Sequence, residues 1–385
     1  MYEIIIIGSG FSGSTIARLL AEKGKKVLII EKRDHFGGNS YDYKENDITI
    51  HKYGPHIFHT KYDEVIKFIT KFSDFIDYTH KVNAYIDGKF VSLPFNLYSL
   101  YQVFDEKKAK EYEKILLDNF RKGERINILD LKKLNIKSLK PLVNFIYKKI
   151  FYNYTKKQWG KTPEEIDPKI FNRVPVVIDY DDRYFTDKFQ KMPKFGFNYL
   201  FRNILDHKNI DIIFNTDFKE IIKFDSKYNI YLNGKKIDAI FIYTGEIDYF
   251  FDYKLGKLRY RSLKFNFKTI EEKFFQDVSV VNYPNDFSFT RITEYKHFLK
   301  EKSTHTIISE EYPGDYNKNS KDFNIPYYPF FDEVNSNKYE NYKKLTESLP
   351  KNFFFLGRLA KYKYINMDMA IKEAIDLFSE KLSVL

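Results

Sequence analysis

The chain has no cysteine. Disulfides, thiolate metal sites and a cysteine nucleophile are excluded together. No apolar run approaches the roughly 18 residues that span a bilayer, so no membrane span is expected. No basic segment with a long apolar stretch precedes the first glycine turn. That predicts no secretory signal and a cytoplasmic location. Internal repeats, low-complexity tracts and Gly/Ser linkers are also missing. Charge of a single sign is missing too: 64 Lys+Arg stand against 53 Asp+Glu, a net charge of +11. A basic balance can serve nucleic acid, anionic lipid or an anionic small substrate. Here the lysines are interleaved with acids. Even the densest stretch, Arg121 to Lys140, contains Glu124 and Asp130. That pattern describes a solvated helical face, and no nucleic-acid partner is expected.

What is present is a globular composition over 385 residues, 43% hydrophobic and 30% charged. The length suffices for two or three packed units. Residues 2–7 form an unbroken β-rich run, suited to a strand buried on both faces of a parallel sheet. Gly8 to Gly13 then make a turn. Ser14 to Lys23 read as a helix stopped by Gly24, and Val27 to Ile30 as a second strand ending at Glu31. This is a βαβ unit. Further on, residues 83–93 predict a hairpin around Asp87-Gly88. Residues 97–157 carry helical patterning. Residues 172–187 and 258–312 suit antiparallel strands, and 209–245 return to short strands. Residues 353–359 read as a strand entering a glycine turn, with a helix from Met367.

Gly8-Ser9-Gly10-Phe11-Ser12-Gly13 is G-x-G-x-x-G between a strand and a helix. Glycines there allow a tight turn, close approach to phosphates and close helix–strand packing. The helix amides and dipole would then hold a pyrophosphate. Glu31 at the next strand end can accept ribose hydroxyls. Arg33 and Gly37-Gly38 resemble the second phosphate-proximal loop of flavoproteins. Gly357-Arg358 resembles their C-terminal flavin segment, with the helix near Met367 aiming its N-terminus at the flavin. These features favour FAD over NAD.

Several ordered segments resemble the bacterial UDP-galactopyranose mutase family along nearly the whole chain. They are Ile-Glu-Lys-Arg-Asp-His-Phe-Gly-Gly-Asn (30–39), His-Lys-Tyr-Gly-Pro-His-Ile-Phe-His-Thr (51–60), Leu-Pro-Phe-Asn (93–96) and Tyr-Thr-Lys-Lys-Gln-Trp-Gly (154–160). Arg-Val-Pro-Val (173–176), Tyr-Arg-Ser-Leu-Lys-Phe (260–265), Thr-Arg-Ile (290–292), Glu-Tyr-Pro (311–313) and Gly-Arg-Leu-Ala-Lys-Tyr-Lys-Tyr (357–364) follow. The resemblance implies an α/β fold: a discontinuous Rossmann-like FAD-binding domain (1–78, 200–246 and 325–385), an inserted helical bundle (97–165) and an inserted antiparallel β-sheet domain (79–96, 166–199 and 247–324).

It also implies an isomerase. UDP-galactopyranose and UDP-galactofuranose would interconvert by ring contraction through a sugar adduct at reduced flavin N5, supplying furanose for surface polysaccharide. The flavin would need an external reductant such as NAD(P)H, and a homodimer is expected. Beside the glycine turn, Glu31, Lys32, Arg33, Gly38 and Asn39 would hold the cofactor, with Gly357, Arg358, Tyr364, Asn366 and Met367 from the tail. Arg173 and Arg291 would grip the diphosphate from opposite sides, since arginine forks suit phosphate. Tyr184, Tyr312 and Tyr364 would donate hydroxyls, beside Phe185 and Tyr327. Tyr154 would stack on uracil with Phe151, and Trp159 would lie by the sugar. In a chain with 32 tyrosines, only position inside a matching segment singles one out.

His56 and His59 lie three apart without an evident carboxylate partner, which makes a poor metal site. They read as flavin-face contacts. Three positions depart from the family pattern: Asn366 replaces an aspartate, His80 an asparagine and Val177 an arginine. Altered polar groups predict an altered sugar, N-acetylated or deoxy, as an alternative substrate. Two other hypotheses remain, an FAD-dependent oxidase with another substrate and a non-enzymatic binding protein.

Overall fold

The computed structural model describes residues 1–134, 136–166 and 174–383. At its centre lies a five-stranded sheet, every pairing of which is parallel. The strand order is Ile210–Ile213, Val27–Ile30, Ile4–Ile7, Ile240–Tyr243 and Phe353–Phe355. Ile4–Ile7 and Val27–Ile30 are buried at every position, which explains why their sequence shows no polar alternation. The helix Phe11–Glu22 crosses between them and packs Ile16, Ala17 and Leu20 onto the sheet. Three distant stretches of chain thus build one nucleotide-type sheet, with the loops after its strands gathered at one edge.

The second sheet has seven strands, in the order Tyr328–Pro329, Tyr260–Ile270, Thr306–Asp315, Arg291–Glu294, Val280–Asn282, Val82–Ile86 and Lys89–Leu93. The hairpin at Asp87-Gly88 forms as its turn chemistry requires, with both residues at positive φ. One pairing, Val280–Asn282 with Val82–Ile86, runs parallel, so the sheet is mixed, not purely antiparallel. Between the hairpin and the third segment lie helices at Leu97–Val103, Glu106–Asn119, Ile128–Lys133, Lys140–Ile146 and Asn153–Trp159.

The expected boundaries shift in three places. Among the described residues of 172–187, which begin at Val174, only a short strand forms, Val176–Val177, paired with Arg125–Ile126. Phe189–Pro193 joins a separate three-stranded sheet with Phe58–Thr60 and Phe75–Asp77. A boundary at 199/200 would cut the helix Gly196–Leu205, whose buried Phe197, Leu200, Phe201 and Ile204 form one apolar stripe. Phe201 meets Phe11 of the first helix at 4.4 Å, which ties that helix to the α/β unit.

Candidate active site

Two cavities meet in this framework. The first, about 220 Å³, runs along the loops at the edge of the parallel sheet. Gly8, Gly10, Phe11, Ser12 and Gly13 line it from the first turn, and Glu31, Lys32, Arg33, Gly38 and Asn39 from the second. Gly357, Arg358, Asn366 and Met367 close it from the C-terminal segment. A Cβ on Gly13 would lie 2.0 Å from the Gly8 carbonyl oxygen, so only glycine lets the helix approach the strand this closely. The N-cap Gly10 supplies no side chain to the first helical turn, leaving its amides to face the cavity. Arg33 donates from Nη2 to Asn39 Oδ1 at 2.8 Å and lies over the Tyr53 ring at 4.4 Å. Its Nη1 is buried without a partner among the described residues. An orphaned cationic N–H beside a bare helix N-terminus fits a bound pyrophosphate.

Glu31 has a second duty. Its carboxylate accepts Ser9 N–H at 2.9 Å, Ser9 Oγ–H at 2.8 Å and Arg33 N–H at 3.0 Å. It braces both loops while lining the cavity.

The second cavity, about 670 Å³, is a cleft between the seven-stranded sheet and the helices. Tyr154, Trp159, Tyr184, Phe185, Tyr327 and Tyr364 line it, as do His56, His59 and Arg291. Tyr364 belongs to the cleft and is not part of the first cavity's lining. Asn282, Arg291 and Glu311 stand opposite one another on three adjacent strands, so all three present one face. Glu311 is 2% exposed and receives Arg291 Nε at 2.7 Å and Nη2 at 2.6 Å. Tyr328 and Tyr364 stack at 4.8 Å with planes 6° apart. Arg358 packs against both rings and donates to the Tyr327 and Ile365 carbonyls, fixing the returning segment.

The two cavities share Asn39, His56, Arg358, Asn366 and Met367. His56 sits at this junction. Burial, helped by Arg358 and Arg291, pushes its imidazole down to about 4 despite a bond to the Gly54 carbonyl. The ring is therefore neutral near pH 7. Its Nδ1–H donates to Gly54 O at 2.7 Å, leaving Nε2 as an acceptor.

Three expectations change. His59 does have a carboxylate partner: Nδ1 meets Asp187 at 2.7 Å, and the ring stacks on Phe185 at 3.7 Å. Tyr312 turns away from the cleft. Its neighbour Glu311 faces inward, and successive strand residues point to opposite faces; the Tyr312 hydroxyl bonds Glu310 at 3.0 Å. Phe151 is buried in the large core cluster and is not among the cleft lining. Arg173 lies outside the described residues. Among residues not anticipated are Glu311, Tyr328, Gln158 and Asn282. For Gln158 a signal existed, its position four after Tyr154 on one helix face.

The family model for UDP-galactopyranose mutase matches residues 149–364. A model for an NAD(P)-binding Rossmann-like domain matches residues 6–72. The Escherichia coli dTDP-fucopyranose mutase is 39% identical over 385 residues, 98% of this chain and 97% of that one. The Mycoplasma genitalium UDP-galactopyranose mutase is 35% identical over 388 residues, 99% of this chain and 95% of that one. A crystal structure of reduced UDP-galactopyranose mutase superposes with a TM-score of 0.73 at 16% identity, covering 100% of this chain and 94% of the other, which supports the fold. Together with the cavity beside the glycine turn, these matches support a flavin cofactor. The chain belongs to the UDP-galactopyranose mutase family and is an isomerase.

Proposed function

We propose that the chain interconverts pyranose and furanose forms of a nucleoside-diphosphate hexose, with the UDP-galactose pair as reference, using bound, reduced FAD. The observation that carries this reading is the junction. A dinucleotide-type cavity and a polar cleft share five residues, where a cofactor's reactive ring and a sugar would meet. Bound and reduced, the flavin would supply an electron-rich ring nitrogen as nucleophile there, with no net oxidation.

The chain's own residues do the rest. The first-turn amides and Arg33 would hold the pyrophosphate, and Glu31 the ribose. The N-terminus of Met367–Leu377, which lines the first cavity, would favour negative charge on a flavin bound there. Arg291, with Arg173 proposed on the other side, would take the charge that grows on the diphosphate as the anomeric C–O bond breaks. Glu311 aims the Arg291 fork. Tyr184, Tyr328 and Tyr364 offer hydroxyls in the same cleft. Tyr154 and Trp159 wall off water and leave room for a flat pyrimidine. Ring contraction removes the 4-hydroxyl proton and returns one to the former ring oxygen, so no external acid or base is consumed.

A second reading keeps this chemistry and changes the sugar to a 6-deoxy or N-acetylated one. It is favoured by the 39% identity to a protein named dTDP-fucopyranose mutase. One experiment addresses both. Dithionite-reduced protein is incubated with UDP-galactofuranose, then with dTDP-fucofuranose and other furanose nucleotides, and the products are separated. Pyranose should accumulate from at least one, and none from any would refute the proposal. An external reductant such as NAD(P)H should replace dithionite.

A further inference from the structure

We propose that His80 reads the sugar: its Nε2–H donates to a hydroxyl oxygen of the bound pyranose, in a tautomer fixed from behind by Tyr78 and Ser279. The inference rests on the reading of the cleft as a sugar-nucleotide site.

His80 is 4% exposed and lines the cleft. Its backbone is tied at both ends. The N–H donates to the Gln190 side chain, and the carbonyl accepts Tyr184 N–H at 2.8 Å. The imidazole lies 5.6 Å from Phe185 at 23°, with Tyr184 edge-on at 5.5 Å. Phe185 also stacks on His59, whose strand follows directly from His56 at the junction. Phe185 and His59 thus link His80 to the end of the cleft where the sugar would react.

Hydrogen-bond accounting fixes the proton. Tyr78 OH and Ser279 Oγ lie 2.6 Å apart, and 3.3 and 3.4 Å from His80 Nδ1. Two hydroxyls bring two protons. One is used in the bond between them. For the other, the acceptor in reach is Nδ1. The opposite tautomer would leave a buried hydroxyl proton unpaired. Nδ1 therefore accepts, and Nε2 carries the hydrogen. No described protein group takes that hydrogen.

The surroundings suit a directional probe. Val82 and Val280 are register partners and line the cleft beside His80. Burial, then Arg291 and His59, push the imidazole down to about 3. It stays neutral and does not compete with Arg291 for the diphosphate. One neutral donor in an apolar patch discriminates by position. A sugar without an acceptor there forfeits the bond, and one with a donor there leaves two donors facing.

The test uses the holoenzyme with oxidised flavin, so that binding is read without turnover. Titration calorimetry measures UDP against UDP-galactopyranose, and dTDP against dTDP-fucopyranose. In His80→Phe, the diphosphates should bind within about twofold of wild type, while the preferred sugar nucleotide weakens roughly 5- to 50-fold. Equal losses for diphosphate and sugar nucleotide, or no loss for either, would overturn the proposal. Failure of wild type to bind any of the four compounds would instead overturn the sugar-nucleotide reading itself. Imidazole ¹⁵N spectra of wild type, assigned by difference against His80→Phe, should show the Nε2–H tautomer. The double variant Tyr78→Phe/Ser279→Ala should mix the two tautomers at unchanged flavin content. An Nδ1–H signal in wild type would overturn the assignment.

Discussion

Arg291 and Glu311 face each other on neighbouring strands, and only Arg291 reaches solvent. Removing the arginine leaves a carboxylate with 2% exposure and no ion-pair partner among the described residues. Breaking such a pair costs about 3 kcal/mol or more. Arg291→Ala should therefore lower the melting temperature and reduce turnover at least about 100-fold, as loss of a transition-state donor does. Flavin per chain should not change, because Arg291 lines the cleft and is not part of the first cavity's lining. Near-normal turnover would remove it from the diphosphate site. Glu311→Gln should keep the fold and raise KM, since it loosens the aim of the fork without deleting it. Arg291 was legible from its motif, but Glu311 was not. Glu310, Glu311 and Tyr312 are consecutive, and which parity faces the cleft depends on a strand register that local sequence does not contain. Tyr312, expected in the cleft, bonds Glu310 on the other face for that reason. His59 lacked a visible partner because Asp187 reaches it only through the pairing of Phe58–Thr60 with Phe189–Pro193.

Among elements, the turn into the first helix is the most local and was the most readable. Gly13→Ala would drive a methyl to 2.0 Å from the Gly8 carbonyl oxygen and force the helix off its strand. The variant should lose flavin and about 1–3 kcal/mol of stability. Gly24→Ala is the control: it adds a methyl with nothing within 4 Å, at φ +88°. It should cost about 1–2 kcal/mol through the backbone alone and retain flavin. Absorbance at the flavin band together with thermal melts separates the two, and equal flavin loss in both would refute the packing account. The same locality explains which elements the sequence announced. The βαβ unit, the Asp87-Gly88 hairpin and the C-terminal helix are each specified within a short window. The mixed seven-stranded sheet is not, because its one parallel pairing joins residues 82–84 to 280–282. Helix Gly196–Leu205 carries a legible apolar stripe and runs unbroken across the expected 199/200 boundary.

At the scale of the whole molecule, buried histidines and buried carboxylates pull stability in opposite directions with pH. Burial drives His56 down to about 4 and His80 to about 3, and sends His51 well below its ordinary range. Unfolded histidine titrates at about 6.5. Burial lowers His35 as well, and below that pH the unfolded chain gains at each of these four sites a proton that the folded chain refuses, so stability falls as pH falls. Burial raises Asp42 and Asp248 to about 6, against about 3.9 unfolded. Burial raises Glu301 and Asp368 in the same direction; at these sites the folded chain holds extra protons, and stability rises as pH falls. Each such site is worth about 1.4 kcal/mol per pH unit between its folded and unfolded titrations, so the slope of stability against pH is set by the difference between the two groups. Urea unfolding at intervals from pH 7.5 to 4.5 measures it. In His80→Phe the slope between pH 6 and 4 should fall by about 1.4 kcal/mol per unit relative to wild type. A slope unchanged by that substitution would mean that His80 is protonated in the folded chain, and the neutral imidazole in the cleft would have to be abandoned.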